Sequence, residues 1–354
     1  MIEQNFTQET FGPIVIFGSG ETSLSGQRIF DQLFGQLPEN PRVSLLETPA
    51  GFELNSYQVV ERIAEFFQQR LQNYQPRIDI IEARKQGTAF SPNNAKIAAP
   101  LLNADMIFAG PGSPTYAVRQ LQDSICWHYL VARHRMGCAL VFASAAAIAL
   151  GTHVLPVYEI YKAGHDLHWV PGLDFFAPFR LPITIIPHWN NQDGGEHLDT
   201  SCCFLGRSRF ETMLEMLPKE QIVIGIDEHT ALWIDCSDQC CRVMGLGTIT
   251  ILNEGEQRVI SSGSSFPLDQ LADCSIPNPA DGIPVDVWKL AQQVHRSMFQ
   301  DESGPPQEVQ ALSNERQQAR DRKDWATADK IRDQIAKLGW LVNDTPEGPV
   351  ISKL

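Results

Sequence analysis

Ala139-Leu140-Val141-Phe142-Ala143-Ser144-Ala145-Ala146-Ala147-Ile148-Ala149-Leu150-Gly151 is the stretch on which the reading of this chain turns. It opens with an apolar run that suits a buried strand. A single serine follows, then a row of small residues that suits the first turns of a buried helix. A strand that breaks at such a turn holds the turn side chain at the sheet edge, beside the free N–H groups of the helix N-terminus. That is the physical requirement of a nucleophile elbow, G-x-S-x-G. Here Phe142 and Ala146 replace both glycines. Either the turn is more open, or the Phe142 ring faces the opposite side of the sheet.

The rest of the chain sets the bounds around this turn. At 354 residues it can hold one large α/β domain and a small appendage. The 43% apolar content and the lack of low-complexity tracts read as folded. Its apolar runs fall short of the ~20 residues that span a bilayer, so no membrane contact is expected. The start, Met1 to Asn5, lacks a basic stretch followed by an apolar core. The eight cysteines, with the adjacent pairs Cys202-Cys203 and Cys240-Cys241, read as reduced thiols. Both features point to the cytoplasm. Cys236, Cys240 and Cys241 lack the paired C-x-x-C halves of a structural zinc site, and neither a metal ion nor an organic cofactor is expected. The formal charge of −14 argues against broad nucleic-acid binding by the body of the protein.

Apolar strand-like runs alternate with amphipathic segments, the signature of a parallel, doubly wound sheet. Strands are predicted at Pro13 to Phe17, Arg42 to Leu46, Arg77 to Ile81, Asp105 to Phe108 and in the Ser144 strand. Helices are predicted from Gln58 to Leu71 and from Thr115 to Leu121. Most of these strands end in Gly- or Pro-rich turns, where open α/β sheets place ligands. Further on, Pro156 to Lys162 reads as extended, Leu181 to Pro187 as a strand ending at His188, and Cys203 to Leu217 as a helix. Ile222 to Ile226 reads as a buried strand. Arg242 to Ile260 reads as a hairpin turning at Asn253-Glu254-Gly255.

A serine nucleophile needs a base within hydrogen-bond reach, and the base needs an orienting carboxylate. Ser144, His188 and Glu159 are the candidates, Glu159 orienting the imidazole. The N–H groups of Ala145 and Gly112 are the candidates for holding an oxyanion, since Pro111 has none.

These residues carry a resemblance. Ala143-Ser144-Ala145-Ala146-Ala147, His188-Trp189 and Gly225-Ile226-Asp227-Glu228-His229-Thr230-Ala231 resemble the motifs of the cyanophycinase and aspartyl dipeptidase family. The resemblance covers roughly residues 10 to 265. It implies a class I glutamine amidotransferase-like α/β fold and a serine hydrolase of peptide or amide bonds. It also implies a carboxylate some fifteen to twenty residues past the serine, where Glu159 stands. Gly110, Asn190, Asn191, Arg207, Asp227 and Glu228 are candidates for contacting a small peptide or amide substrate. A second reading is a non-catalytic domain that holds a small ligand.

The tail is separate. Leu312 to Asp324 reads as one polar helix. Asp324 suits an N-cap for a second, on which Trp325, Ala328, Ile331, Ile335 and Leu338 recur at helical spacing. Glu315-Arg316, Ala319-Arg320, Lys323-Asp324-Trp325-Ala326 and Ala328-Asp329-Lys330-Ile331-Arg332-Asp333 resemble the extreme C-terminus of cysteinyl-tRNA synthetases. The resemblance implies a tRNA or protein contact, with Arg316, Arg320 and Lys323 as RNA-binding candidates. Over residues 307–354 eight acidic residues offset eight Lys and Arg, so packing or dimerisation is the competing use, and self-association into a homo-oligomer is a further alternative. The expected layout is an α/β domain over 1–300, a linker over 301–308 and a helical module over 309–354.

Overall fold

The computed structural model describes residues 11–300, 305–345 and 348–353. The chain divides into two compact units, Met1–Ala291 and Gln292–Leu354. Residues 301–304 of the expected linker lie outside the described residues.

The first unit begins with β1 (Ile14–Phe17), α1 (Leu24–Phe34), β2 (Arg42–Leu46), α2 (Ser56–Arg70) and β3 (Arg77–Ile81). The short α3 (Ala95–Ala98) precedes β4 (Met106–Ala109), α4 (Pro114–Leu121), α5 (Ile125–His134), β5 (Ala139–Ala143) and α6 (Ala145–Ala149). Next come β6 (His153–Val154), α7 (Val157–Tyr161), β7 (Val170–Pro171), β8 (Ile183–Ile186) and α8 (Arg207–Leu214). Six strands follow: β9 (Ile222–Ile226), β10 (Thr230–Asp235), β11 (Cys240–Gly245), β12 (Thr248–Asn253), β13 (Glu256–Ser261) and β14 (Ser265–Pro267). The helix α9 (Val285–Gln300) follows.

The main sheet has the order β14-β11-β10-β1-β5-β4-β2-β3. β1, β5, β4, β2 and β3 run parallel, and β10, β11 and β14 extend one side in antiparallel pairing. β8, β9 and the β12–β13 hairpin form a second sheet of four. This is a mixed α/β fold around a mostly parallel central sheet. β4 and β5 are buried at every position, which their unbroken apolar runs required. The amphipathic α1 starts at Ser23, whose hydroxyl accepts the Gly26 N–H, and buries Ile29, Phe30, Leu33 and Phe34. The Phe30 ring meets Phe67 of α2 edge-on at 4.8 Å. Truncating either ring to alanine costs about 3–5 kcal/mol.

The parallel strands deliver their loops to one edge of the sheet. Backbone hydrogen bonds tie these loops together: Ser113 N–H to Pro49 O at 3.0 Å, Ala146 N–H to Gly110 O at 3.2 Å, and His188 N–H to Gly18 O at 3.1 Å. Two sequence expectations change here. The segment read as extended is α7, in which Val157 and Ile160 are buried three residues apart. A helix expected from Cys203 begins only at Arg207, because Cys202, Cys203 and Phe204 take left-handed dihedrals and Gly206 has φ 80°.

In the second unit α10 (Gln307–Asp321) and α11 (Trp325–Lys337) form a helical hairpin, followed by β15 (Trp340–Thr345) and β16 (Gly348–Lys353). Asp324 caps α11, its carboxylate accepting the Thr327 N–H. Val309, Ile331, Ile335 and Val342 make the core of this unit.

Candidate active site

Ser144 links β5 to α6 with φ 51° and ψ −117°. For a residue with a Cβ this is a strained conformation, held only where its surroundings over-determine it. The surroundings do so. β5 is locked between β1 and β4, and the Ala146 N–H bonds to Gly110 O. Phe142 is buried with its ring near Phe175, 6.4 Å between centroids, so its bulk is taken up by the core. Of the two alternatives left by the sequence, the sharp turn with the ring packed away is the one adopted.

Ser144 Oγ lies 3.1 Å from His188 Nε2, and His188 Nδ1 lies 2.9 Å from Glu228 Oε1. With a carboxylate at Nδ1, that nitrogen carries the proton and donates it, leaving Nε2 to accept from the serine hydroxyl. Glu228 follows β9. Its carboxylate also accepts from Asn191 Nδ2 at 3.0 Å, and its N–H donates to Asn190 Oδ1 at 2.8 Å. The hydrogen bond from His188 holds the Glu228 carboxyl below its ordinary value against the opposing effect of burial, with Asn191 assisting. His188 and Glu228 side chains are 17% and 28% exposed, so the line is shielded yet reachable.

The sequence placed Glu159 at His188; the structure places Glu228 there. Because α7 is helical, Glu159 meets α4 instead, and its Oε1 accepts from Thr115 Oγ1 at 2.5 Å. Thr115 Oγ1 in turn lies 3.1 Å from Ser113 Oγ, beside Gly112. Glu228 was legible as part of Gly225-Ile226-Asp227-Glu228, two residues past a buried strand. Its partner was not, because β8 and β9 are neighbours only in three dimensions.

Gly112 has φ 146°, and a Cβ there would stand 2.0 Å from Pro49 O, so only glycine fits. Neither its N–H nor that of Ala145 donates to a protein acceptor among the described residues. Asn190 and Asn191 hold Glu228 as described. Asp227 braces the fold, its Oδ2 accepting the Thr248 N–H and hydroxyl at 2.8 and 2.9 Å. The Arg207 guanidinium lies over the Trp189 ring at 4.9 Å.

Glu21, in the loop after β1, is a group the sequence reading passed over. Burial pushes its carboxyl up, partly offset by its own backbone N–H and by nearby His188 and His229. The cysteines are free. Burial raises Cys202 to about 11 and Cys203 further, so both stay protonated thiols beside the site. Among the described residues no group of three or more His, Cys, Asp and Glu could hold a metal ion, and no helix is long and apolar enough to cross a membrane.

In the second unit, Arg316 is buried and makes a bidentate pair with Asp344, at 2.8 and 2.9 Å. Arg320 also reaches Asp344, at 2.8 Å, and lies over the Trp325 ring at 5.6 Å. Of the three RNA-binding candidates, these two are engaged internally, and Lys323 is exposed.

Residues 302–348 match the family model of the cysteinyl-tRNA ligase anticodon binding domain. The cysteine–tRNA ligase of Methanosarcina mazei is 54% identical over 48 residues, which are 14% of this chain and 10% of the ligase. Cysteine–tRNA ligase 1 of Burkholderia lata is 56% identical over 43 residues, 12% of this chain and 9% of the ligase. The chain thus spans about a tenth of the length of the ligases it matches. The crystal structure of a peptidase from an acI-B1 Actinobacterium superposes with a TM-score of 0.59 at 20% identity, covering 73% of this chain and 98% of the peptidase. The main domain therefore shares the mixed α/β fold of that peptidase, and residues 302–348 are similar to the end of cysteinyl-tRNA ligases.

Proposed function

We propose that the main domain is a serine hydrolase of peptide or amide bonds. The observation that carries this reading is the unbroken line from Ser144 through His188 to Glu228, built on a strained turn. Ser144 Oγ forms a bond to the substrate carbonyl carbon as His188 Nε2 takes its proton. Glu228 orients the imidazole and stabilises the imidazolium. The negative charge on the carbonyl oxygen falls to the N–H groups of Gly112 and Ala145, each such donor being worth about 10²–10³ in rate. His188 then protonates the departing amine. In the second half a water gives its proton to His188, attacks the acyl carbon and releases the acid, and the proton returns to Ser144. A fluorophosphonate probe tests this. One covalent adduct is expected, mapped by mass spectrometry to the peptide containing Ser144 and lost in Ser144→Ala; an unlabelled wild-type protein between pH 6 and 9 would refute the hydrolase reading.

For the second unit we propose a tRNA contact through the α10–α11 turn. Support comes from the match over residues 302–348 and from Lys323 and Trp325, both exposed there. Binding of tRNA to the full chain should weaken steeply with salt and fall in Lys323→Glu. Equal binding by the variant would count against this surface.

A further inference from the structure

Cys202, Cys203 and Phe204 have φ of 53°, 60° and 66°. Three successive L-residues thus follow a left-handed turn, in which each Cβ crowds the following carbonyl. A chain that needed only the change of direction would carry glycine, as it does at Gly206 with φ 80°. Instead the side chains are used. Cys202 and Cys203 are buried in a cluster with Trp189, Leu205 and Phe210. Phe204 reaches the imidazole of His188, 5.6 Å between centroids and tilted 50°, with Tyr161 of α7 behind it at 5.8 Å.

The backbone of the same turn serves the same histidine. Cys203 N–H donates to His188 O at 3.1 Å, and Cys202 N–H donates to Trp189 O at 2.9 Å. His188 is itself at φ 51°, with its N–H held by Gly18 O. The histidine is therefore held at its amide and its carbonyl, with the Phe204 ring packed beside its imidazole. That leaves Nδ1 for Glu228 and Nε2 for Ser144. An aromatic face beside an imidazole gives apolar packing while the ring is neutral, and adds a cation–π attraction once the imidazolium forms.

We infer that Phe204, presented by the strained 202–204 turn, is a positioning residue for His188 that fixes its ring and favours the imidazolium formed during acyl transfer. This inference rests on the serine-hydrolase reading of the site. The test uses the full chain, the fluorophosphonate labelling rate and the melting temperature. Phe204→Leu fills a similar volume without a π face. It should label about three- to tenfold more slowly than wild type, with a melting temperature within about 2 °C of it. Phe204→Tyr should restore the wild-type rate. Of Cys203→Gly and Cys203→Ala, the glycine variant should melt higher, the reverse of the usual order, because only glycine is unstrained at that φ. Wild-type labelling by Phe204→Leu, equal slowing in Phe204→Tyr, or a more stable alanine variant at 203 would each overturn the inference and leave the hydrolase reading standing. A wild-type protein with no adduct on Ser144 would overturn both.

Discussion

In the main domain the carboxylate of Glu228 holds a histidine whose other nitrogen faces a serine. In the C-terminal unit the carboxylate of Asp344 holds two arginines, one buried against the core and one lying over Trp325. Both regions pair an acid with a base, and both pairs are short. They differ in what is left over. Around Glu228 the second nitrogen of His188 stays directed at the Ser144 hydroxyl, on a turn kept strained by its neighbours. Around Asp344 the charges close on one another and fix the packing of α10 against β15. Charged residue types alone therefore do not mark function. An acid–base pair is chemically available when its geometry leaves one group turned outward, and structural when it does not.

Three substitutions or conditions sharpen or break that contrast, in order of effect. Gly112→Ala drives a Cβ into Pro49 O and should displace the loop that offers the Gly112 N–H, slowing fluorophosphonate labelling about hundredfold. Labelling at the wild-type rate would show that this loop is not an oxyanion site. Arg316→Ala removes a buried bidentate partner and should destabilise the C-terminal unit by about 2–3 kcal/mol, read as faster amide exchange across α10 and β15, with labelling of Ser144 unchanged. Undiminished amide protection would show that the pair is not structural. The smallest effect is on pH dependence. Glu228 is held below its ordinary value when folded, so its contribution to stability is present above about 4.5 and is lost as pH falls through the folded value. Glu21 is raised, so its sign is opposite: its contribution declines as pH rises through the folded value. Melting curves against pH should flatten below about 4.5 in Glu228→Gln and above about 4.5 in Glu21→Gln.

Much of this arrangement was legible in the chain because it follows from local physics. The apolar run before Ser144 suits a buried strand, and the small residues after it suit a close-packed helix start; both form as read. Asp324 capping α11 and the helical spacing of Ile331 and Ile335 were equally local. What the sequence concealed depends on pairings at long range. Glu159 lies within α7 and Glu228 just after β9, and only the parallel pairing of β8 with β9 brings the second to His188. The helix expected from Cys203 failed for another reason. Its apolar spacing is helical, but the hydrogen bonds to His188 O and Trp189 O draw the chain into the left-handed region before α8 can start. Arg316 looked available because an arginine on a polar helix usually is; Asp344, twenty-eight positions away, decides otherwise.

The assignment of the orienting acid is the centre of this account, and one measurement addresses it directly. The fluorophosphonate labelling rate of Ser144 is compared in wild type, Glu228→Gln and Glu159→Gln, with melting temperatures recorded alongside. Glu228→Gln should label about 10³–10⁴-fold more slowly while remaining folded, since an amide at that position no longer stabilises the imidazolium. Glu159→Gln should lose less than about tenfold, the effect of loosening the Thr115–Ser113 side of the loop. The opposite ranking, or a Glu228→Gln protein that labels at the wild-type rate, would contradict the account.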